Sequence, residues 1–420
     1  MGNKSLILVC NAGSSSLKFK LFESGSNLDL LAQGNCAEIG THSPRFTCRA
    51  FSNDRLVDQV DREEPALTSH EASFTHVIDY LTHPDNEPAV LSDHADIRII
   101  GHRVVHGGGK FNEPTLITDD TLSQLDDLGD LAPLHNHRSV VVMRKCLQAL
   151  PESQNFAFFD TMFHTTIPEY IYAYPLPRKV VKEKNIRKFG FHGLSHNYVA
   201  KKAAQFLGAG VENLKLITLH LGAGSSACAI KHGKSLDTSM GLTPLAGLPG
   251  GTRSGDIDPT AVFHFLPHPS SLTDSHLTEA ERVLNHDSGL LGICGTSDFH
   301  EIVKRMRSDS GSESARLAFE IFVNRLQNFV GSYLIALEGA DAVVFAGGIG
   351  ENSPDIRAAV CDKLKWVSAA VDTGKNEKAA DIMKKQGVAD IGAEGNQIRV
   401  LVVATDEERE IAEEITRMNV

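Results

Sequence analysis

Hydrophobic residues along the 420-residue chain gather into short continuous runs at residues 6–10, 97–100, 157–159, 216–219, 342–345 and 400–403. Runs of this length without polar alternation fit strands covered on both faces, where neither set of side chains meets water. Each run leads into a segment rich in Gly, Asn, Asp, His or Ser, the pattern of an α/β protein whose strand ends deliver functional loops. Helical spacing is clearest later in the chain. Over residues 315–338, Leu317, Ile321, Phe322, Phe329, Leu334 and Leu337 recur near the helical period, and Gly339 follows as a stop signal. Asn352-Ser353-Pro354-Asp355 predicts a helix start: a capping side chain, a first-turn proline and an acid favouring the dipole. The polar stretches 266–289 and 307–314 are expected outside the sheets.

One pattern repeats. Leu6-Ile7-Leu8-Val9 leading to Ala12-Gly13-Ser14-Ser15 resembles Leu216-Ile217-Thr218-Leu219 leading to Ala223-Gly224-Ser225-Ser226. The match is short, and Gly/Ser turns are common. If it reflects duplication, the chain holds two copies of one α/β unit facing each other across a cleft.

Length alone suggests two or three domains. Hydrophobic residues at 41% and charged residues at 22% are ordinary for a soluble globular protein. The net charge of −12 argues against a broad basic surface for nucleic acid. No apolar run is long enough to span a bilayer, and no secretory leader or myristoylation pattern is apparent, so a cytoplasmic location is expected. Seven cysteines, scattered from Cys10 to Cys361 with no C-x-x-C pair, read as reduced thiols, and no paired spacing marks a structural zinc site.

The candidate chemistry sits in the loops. Asn11-Ala12-Gly13-Ser14-Ser15-Ser16-Leu17-Lys18 offers backbone N–H groups, hydroxyls and a cation to a phosphate; its plain alternative is a tight hairpin with Lys18 facing water. His220-Leu221-Gly222-Ala223-Gly224-Ser225-Ser226 repeats that chemistry. A Walker A loop is absent, because Cys228 stands where Gly233-Lys234-Ser235 needs its leading glycine. Residues 343–352 are expected to run strand, glycine loop, capped helix, but Ser353 replaces the third glycine of a dinucleotide fingerprint. His106-Gly107-Gly108-Gly109 resembles an esterase oxyanion-hole motif, yet no G-x-S-x-G elbow occurs. Arg103 is better suited to a carboxylate or phosphate. Arg253, flanked by glycines with Asp256 and Asp258 nearby, could be presented to a phosphoryl group or tied into a salt-bridged turn. His102, His106, His135, His164 and His196 lack H-E-x-x-H spacing and do not read as a zinc cluster.

Taken in order, the segments 11–18, 102–108, 132–136, 159–164, 189–196, 220–226, 243–259, 347–352 and 405–408 resemble the acetate kinase family over nearly the whole chain. The resemblance implies two duplicated ribonuclease-H-like, actin-like ATPase domains flanking a nucleotide cleft. Residues 1–162, completed by about 405–420, would form the first domain and 163–404 the second. It further implies ATP/ADP and Mg²⁺ (or Mn²⁺) as cofactors, acetate as substrate, a homodimer, and no nucleic-acid or membrane partner. Asn11 and Glu407 would belong to the metal environment and Lys18 to ATP binding. Arg103 would bind the substrate carboxylate, and Val105, Leu134, Phe191 and Pro244 would surround its methyl group. Asp160 corresponds to the catalytic acid, with His192 and Arg253 stabilising the transition state. His220, Leu221, Gly222, Ala223, Gly224, Asp298, Phe299, His300, Gly348, Ile349, Gly350, Glu351 and Asn352 would line the nucleotide site.

Two departures bear on nucleotide affinity: Ala223 stands where asparagine is common, and Asp298-Phe299-His300 replaces Asp-Met-Arg. The implied reaction is direct in-line transfer to a carboxylate, which is already ionised and needs no strong base, so Asp160 is expected mainly to orient Arg103 or metal-bound water. Propionate kinase is the near alternative, since one methylene discriminates by about 1–3 kcal/mol. An ATP-driven chaperone or filament protein on the same fold is the alternative of another class.

Overall fold

The computed structural model describes residues 5–25, 27–53, 55–83, 90–91, 93–127, 136–264, 279–308 and 311–418. Leu134 and His135, and residues 265–278 of the polar stretch, lie outside them. The chain forms two compact units, one of residues 1–162 with 406–420, the other of residues 163–405.

In the first unit, β1 (Leu6–Ala12), β2 (Ser16–Glu23), β3 (Asp29–Ala37), β4 (Arg45–Ser52), β5 (Arg55–Glu63), β6 (Ile97–Val104), β7 (Thr115–Leu116) and β8 (Gln154–Phe159) form one sheet. Its order is β5-β4-β3-β2-β1-β6-β8-β7. In the second unit, β9 (Lys215–Leu221), β10 (Ser225–Lys231), β11 (Lys234–Thr238), β12 (Ala342–Ala346), β13 (Val388–Asp390) and β14 (Arg399–Val403) form a sheet of order β11-β10-β9-β12-β14-β13. The two sheets share a four-strand pattern. β1 pairs antiparallel with β2 and parallel with β6, which pairs parallel with β8. β9 repeats this with β10, β12 and β14. The short sequence echo is therefore a duplication of topology, with β1–β2 and β9–β10 as equivalent hairpins.

The apolar runs are strands buried on both faces. Leu216, Val344 and Leu401 pack with Val199 and Ala203 of the helix Gly193–Leu207. Ile217, Leu219, Val343, Phe345 and Val400 pack on the other side with Phe322, Leu326 and Val330 of the helix Glu313–Ala336. Removing a buried ring such as Phe322 would cost about 3–5 kcal/mol. In the first unit the helices His70–Thr82 and His137–Ala149 supply Phe74, Val77 and Val142 to a core with Leu8, Phe19 and Ile100. The helix Glu407–Met418 packs against β6 so closely that a Cβ at Gly101 would lie 2.5 Å from Ile411 Cγ2.

Local expectations need three corrections. The long helix is Glu313–Ala336, capped by Ser312, and its buried stripe is rotated so that Leu317 is 50% exposed while Phe319 is buried. The segment after β12 is not a loop: Gly347–Asn352 is already helical, and Ser353 caps the following helix Pro354–Asp362. Lys18 lies inside β2 opposite Asn11, so the N-terminal segment is strand on either side of a turn at Gly13–Ser15, closed by Gly13 N–H donating to Ser16 O at 2.8 Å. Among the described residues no helix is long and apolar enough to cross a membrane.

Candidate active site

In the first unit, strand ends and one helix start bring several charged groups together. Arg103 follows from its place near the end of β6, Asn11 from β1 alongside it, and Asp160 from the first position after β8. Arg103 Nε and Nη2 donate to the two oxygens of Asp160 at 2.9 and 2.7 Å, and Nη1 donates to Asn11 Oδ1 at 3.2 Å. Glu407 lies 3.3 Å from Nη1. Burial opposes the guanidinium charge, but Asp160 and Glu407 outweigh it and raise the Arg103 pKa. Arg103 is 18% exposed and Asp160 1%, so the arginine reaches solvent while its partner fixes it from below. Two parallel charge-assisted bonds hold the planar group far more rigidly than one.

Sequence reasoning placed Glu407 with Asn11 but missed Glu408 and Asp406. Asn11 Nδ2 donates to Glu408 Oε1 at 2.8 Å and Glu407 Oε2 at 3.3 Å. Lys20 donates to Asp406 at 2.6 Å and lies 3.9 Å from Glu408. Burial pushes the Glu407 carboxyl up to about 7, against the pull of Arg103, with Asp160 and Glu408 adding to the rise. These residues open the helix Glu407–Met418, where Asp406 accepts from Arg409 N–H, and a run of acids after a strand was the available signal. Asn11 and Glu407 offer oxygen donors side by side, and such hard ligands fit a divalent cation such as Mg²⁺ or Mn²⁺.

Val105 is half-buried just beyond Arg103. The next residues form a clamped turn: His106 N–H donates to Asn136 Oδ1 at 3.1 Å, Gly107 N–H to Thr161 Oγ1 at 3.2 Å, and Gly108 N–H to His106 Nδ1 at 2.8 Å. With those amides engaged, the esterase-like oxyanion hole does not exist. His102 is a core residue bonded to Asn155, and His164 bonds Ser235 and the Phe191 carbonyl, so neither histidine belongs to the cluster around Arg103.

In the second unit the hairpin of β9 and β10 carries the second set. His192 sits at φ 56° and ψ 24°, just before the helix Gly193–Leu207. Its ring stacks on His220 with centroids 4.2 Å apart, and Nδ1 hydrogen-bonds Ser226 Oγ at 2.9 Å. His196 continues the chain, bonding Ser226 at 2.7 Å and Thr218 at 2.8 Å, and burial lowers its pKa well below the ordinary value. His220 bonds Ser195 Oγ at 2.7 Å, and Ser195 bonds Thr405 at 2.6 Å. Ser195, Ser226 and Thr405 lie within the segments singled out in the sequence, but the hydrogen bonds that link them to one another and to the histidines were not anticipated.

Arg253 and His192 converge on Gly224. A Cβ there would lie 3.0 Å from Arg253 Nη1 and 3.4 Å from His192 Cε1. The nearby acids serve turns instead: Asp256 accepts from Gly247 N–H at 2.7 Å, and Asp258 from Thr260 N–H at 2.9 Å. Among the described residues Arg253 makes no ion pair, and burial alone lowers its pKa. A half-buried arginine beside a glycine-rich turn, with no carboxylate of its own among the described residues, has the chemistry to receive an anion.

Next to this turn lies a cavity of about 880 Å³, within the range of small-molecule and nucleotide sites. Ala223, Asp298, Phe299, His300, Gly348, Ile349 and Asn352 line it. Leu221 and Gly350 are instead buried below the surface, and Glu351 faces away, its Oε1 accepting from Gly347 and Thr405 N–H at 2.9 and 3.0 Å. His220, Gly222 and Gly224 sit beside the cavity's Ala223, outside the lining. Val303, Lys304 and Arg307 also line it. They lie on the helix Phe299–Arg307, whose Asp298 cap accepts from His300 N–H at 2.9 Å. Their spacing from His300 was the missed signal. Phe191 and Pro244 are buried in this unit, with the Phe191 carbonyl held by His164.

Comparison with known proteins covers the same residues. The family model described as the acetokinase family matches residues 6–413. The chain is 41% identical over 413 residues to the acetate kinase of Acetivibrio thermocellus, covering 98% of each. It is similar in structure to Porphyromonas gingivalis acetate kinase (TM-score 0.85, 33% identity, 99% and 100% of the two chains covered). It is also similar to a propionate kinase from Francisella tularensis (TM-score 0.84, 38% identity, 98% of each covered). With a duplicated α/β fold, a carboxylate-fixed arginine, a phosphate-type turn and matches over nearly its full length, the chain belongs to the acetokinase family.

Proposed function

We propose that this protein is an acetate kinase, a phosphotransferase that moves the γ-phosphoryl group of ATP directly to acetate, giving acetyl phosphate and ADP, and runs the reverse reaction. The observation that carries this reading is Arg253, an arginine without an ion pair among the described residues, converging with His192 on Gly224 beside the nucleotide-sized cavity. Both substrates are anions, so their repulsion must be offset before reacting oxygens meet. Arg103 would hold the carboxylate with its remaining N–H groups, Val105 would contact the methyl group, and Leu134, Phe191 and Pro244 would complete the apolar surround. Asp160 keeps the Arg103 fork in one orientation; an ionised carboxylate needs no proton removed. Arg253 and His192 would meet the charge of the planar transferring phosphoryl group. Lys18 would neutralise phosphate charge, and the cavity would take the nucleoside, with Lys304 and Arg307 supplying cations near the position of His300.

The family implies a divalent cation. Asn11 and Glu407 would hold Mg²⁺, or Mn²⁺, whose charge would offset that of the nucleotide phosphates. A cytoplasmic homodimer is part of the same reading, and solution scattering of the purified protein tests the oligomeric state.

Hydroxamate formation from acetate, ATP and hydroxylamine is the decisive assay, and a folded protein yielding no product would refute the proposal. The similarity to a propionate kinase favours one second reading, that propionate is preferred. Comparing kcat/KM for the two acids separates them, because a single methylene is worth about 1–3 kcal/mol in an apolar pocket.

A further inference from the structure

Two thiols and an imidazole meet in the core of the first unit, away from the carboxylate cluster. Cys10 and His102 are direct neighbours across the parallel β1–β6 pair and point to the same face. Cys146, from the helix His137–Ala149, covers that face. One ligand atom from each of Cys10, His102 and Cys146 lies within 4.8 Å of the other two. The three residues are 2%, 1% and 0% exposed. Tetrahedral or trigonal bonds of about 2.0–2.3 Å place ligand atoms roughly 3.6–4.0 Å apart, so closure requires shifts of about an ångström or less.

The fourth neighbour fixes the ring. Asn155 Nδ2 donates to Ser153 O at 3.0 Å, which turns its Oδ1 toward His102 Nε2 at 2.8 Å. That oxygen can only accept, so Nε2 carries the proton and Nδ1 keeps the lone pair. A histidine whose second nitrogen donates to an amide oxygen has the tautomer and orientation of a metal ligand. Burial also keeps this ring neutral.

We propose that Cys10, His102 and Cys146 form a buried site for a soft divalent cation such as Zn²⁺ or Cd²⁺. On binding, each thiol forms a metal–sulfur bond and releases its proton to solvent, and the imidazole contributes its lone pair without losing a proton. Two thiolates and one neutral imidazole leave the bound ion with no net charge, which suits an apolar core; a monovalent ion would leave a buried negative charge. Loading needs the covering helix to lift and is therefore slow. The site is also coupled to catalysis, a consequence that rests on the functional reading above: Cys10 and His102 immediately precede Asn11 and Arg103, so drawing the ligands together displaces both.

The test uses reduced, chelator-treated full-length protein and Cd²⁺. The expected result is thiolate-to-cadmium ultraviolet absorption saturating at a single ion per chain, together with slowly developing loss of hydroxamate production. Cys10→Ala and Cys146→Ala should each abolish the absorption, whereas Cys36→Ala and Cys228→Ala should keep it. Asn155→Leu, acting through His102, should weaken binding about 10–100-fold. Cadmium on the oxygen cluster of Asn11 and Glu407 gives no such band, which separates the two sites. If Cys10→Ala does not fold, Cys146→Ser serves in its place. Folded protein without the band, or a band unchanged in the Cys146 variant, would overturn the site. A band without inhibition would overturn only the coupling.

Discussion

Replacing Asp160 by asparagine keeps the shape of the side chain and removes its charge, so it isolates what this carboxylate does for Arg103. Both of its oxygens accept from the guanidinium, at 2.9 and 2.7 Å, in a place where Asp160 is 1% exposed. Asparagine can accept one of these bonds with its carbonyl oxygen, but its amide N–H groups face the other donor. A hydrogen bond to a charged group is worth about 1.5–3 kcal/mol, and losing one beside a new donor–donor clash amounts to about 2–4 kcal/mol. If that loss falls on the orientation of Arg103 in the transition state, kcat/KM for acetate drops about 30–1,000-fold. Steady-state hydroxamate assays across the neutral range, with acetate and ATP varied separately, measure it. The expected pattern is a large loss expressed toward acetate, little change in KM for ATP, and an unaltered pH profile. Near-full activity at every pH would refute the orienting role. A loss accompanied by a displaced pH limb would replace it with proton transfer.

The other predictions concern separate parts of the molecule. Arg253→Gln should lower kcat about 10²–10³-fold with little effect on KM for acetate, as expected when a group acts on charge that develops in the transition state; a change confined to KM would place it in substrate binding instead. His300→Arg should lower KM for ATP by up to about fivefold at unchanged kcat, because it adds a cation to the lining of the nucleotide cavity; an unchanged KM would remove His300 from nucleotide recognition. His102 should make the fold acid-sensitive: burial depresses its pKa from 6.5 to about 4, so the unfolded chain gains a proton first as pH falls and stability is lost between those values. The loss approaches about 3 kcal/mol at the lower end. Urea titrations should show it, and they should show a flatter pH dependence for His102→Gln if that variant is folded at neutral pH; parallel curves for the two proteins would exclude the mechanism.

Much of the fold was legible because two-sided burial leaves a strong trace. Strands such as β9 and β12 are covered by helices on both faces, so their residues form unbroken apolar runs whatever the surrounding sequence. Element boundaries were less visible. Gly347–Asn352 reads as a loop because glycines are poor helix formers, yet β12 feeds directly into a turn of helix there, and Gly347 takes φ 75°. The N-terminal Gly/Ser segment reads as a loop, but the pairing of Asn11 with Lys18 across a hairpin makes most of it strand. The long helix kept its position while its buried face rotated enough to expose Leu317, because packing against the second unit's sheet and its neighbouring helices is decided by tertiary fit.

Sequence by itself determined the chemistry on offer: arginines, acids and histidines at the ends of apolar runs, an order of motifs that identified the family, and a faint internal repeat. Tertiary structure alone decided which of these groups meet. Arg103 and Asp160 are 57 positions apart, and Asn11 and Glu408 are 397 apart, yet each pair is in hydrogen-bond contact because parallel neighbours and the returning C-terminal helix deliver them to one place. The same pairing of β1 with β6 sets Cys10 beside His102 under Cys146, although no spacing in the chain announced a metal-binding set. Side-chain chemistry is local to the residue, whereas juxtaposition depends on strand register and helix packing, which arise only when the whole chain has folded.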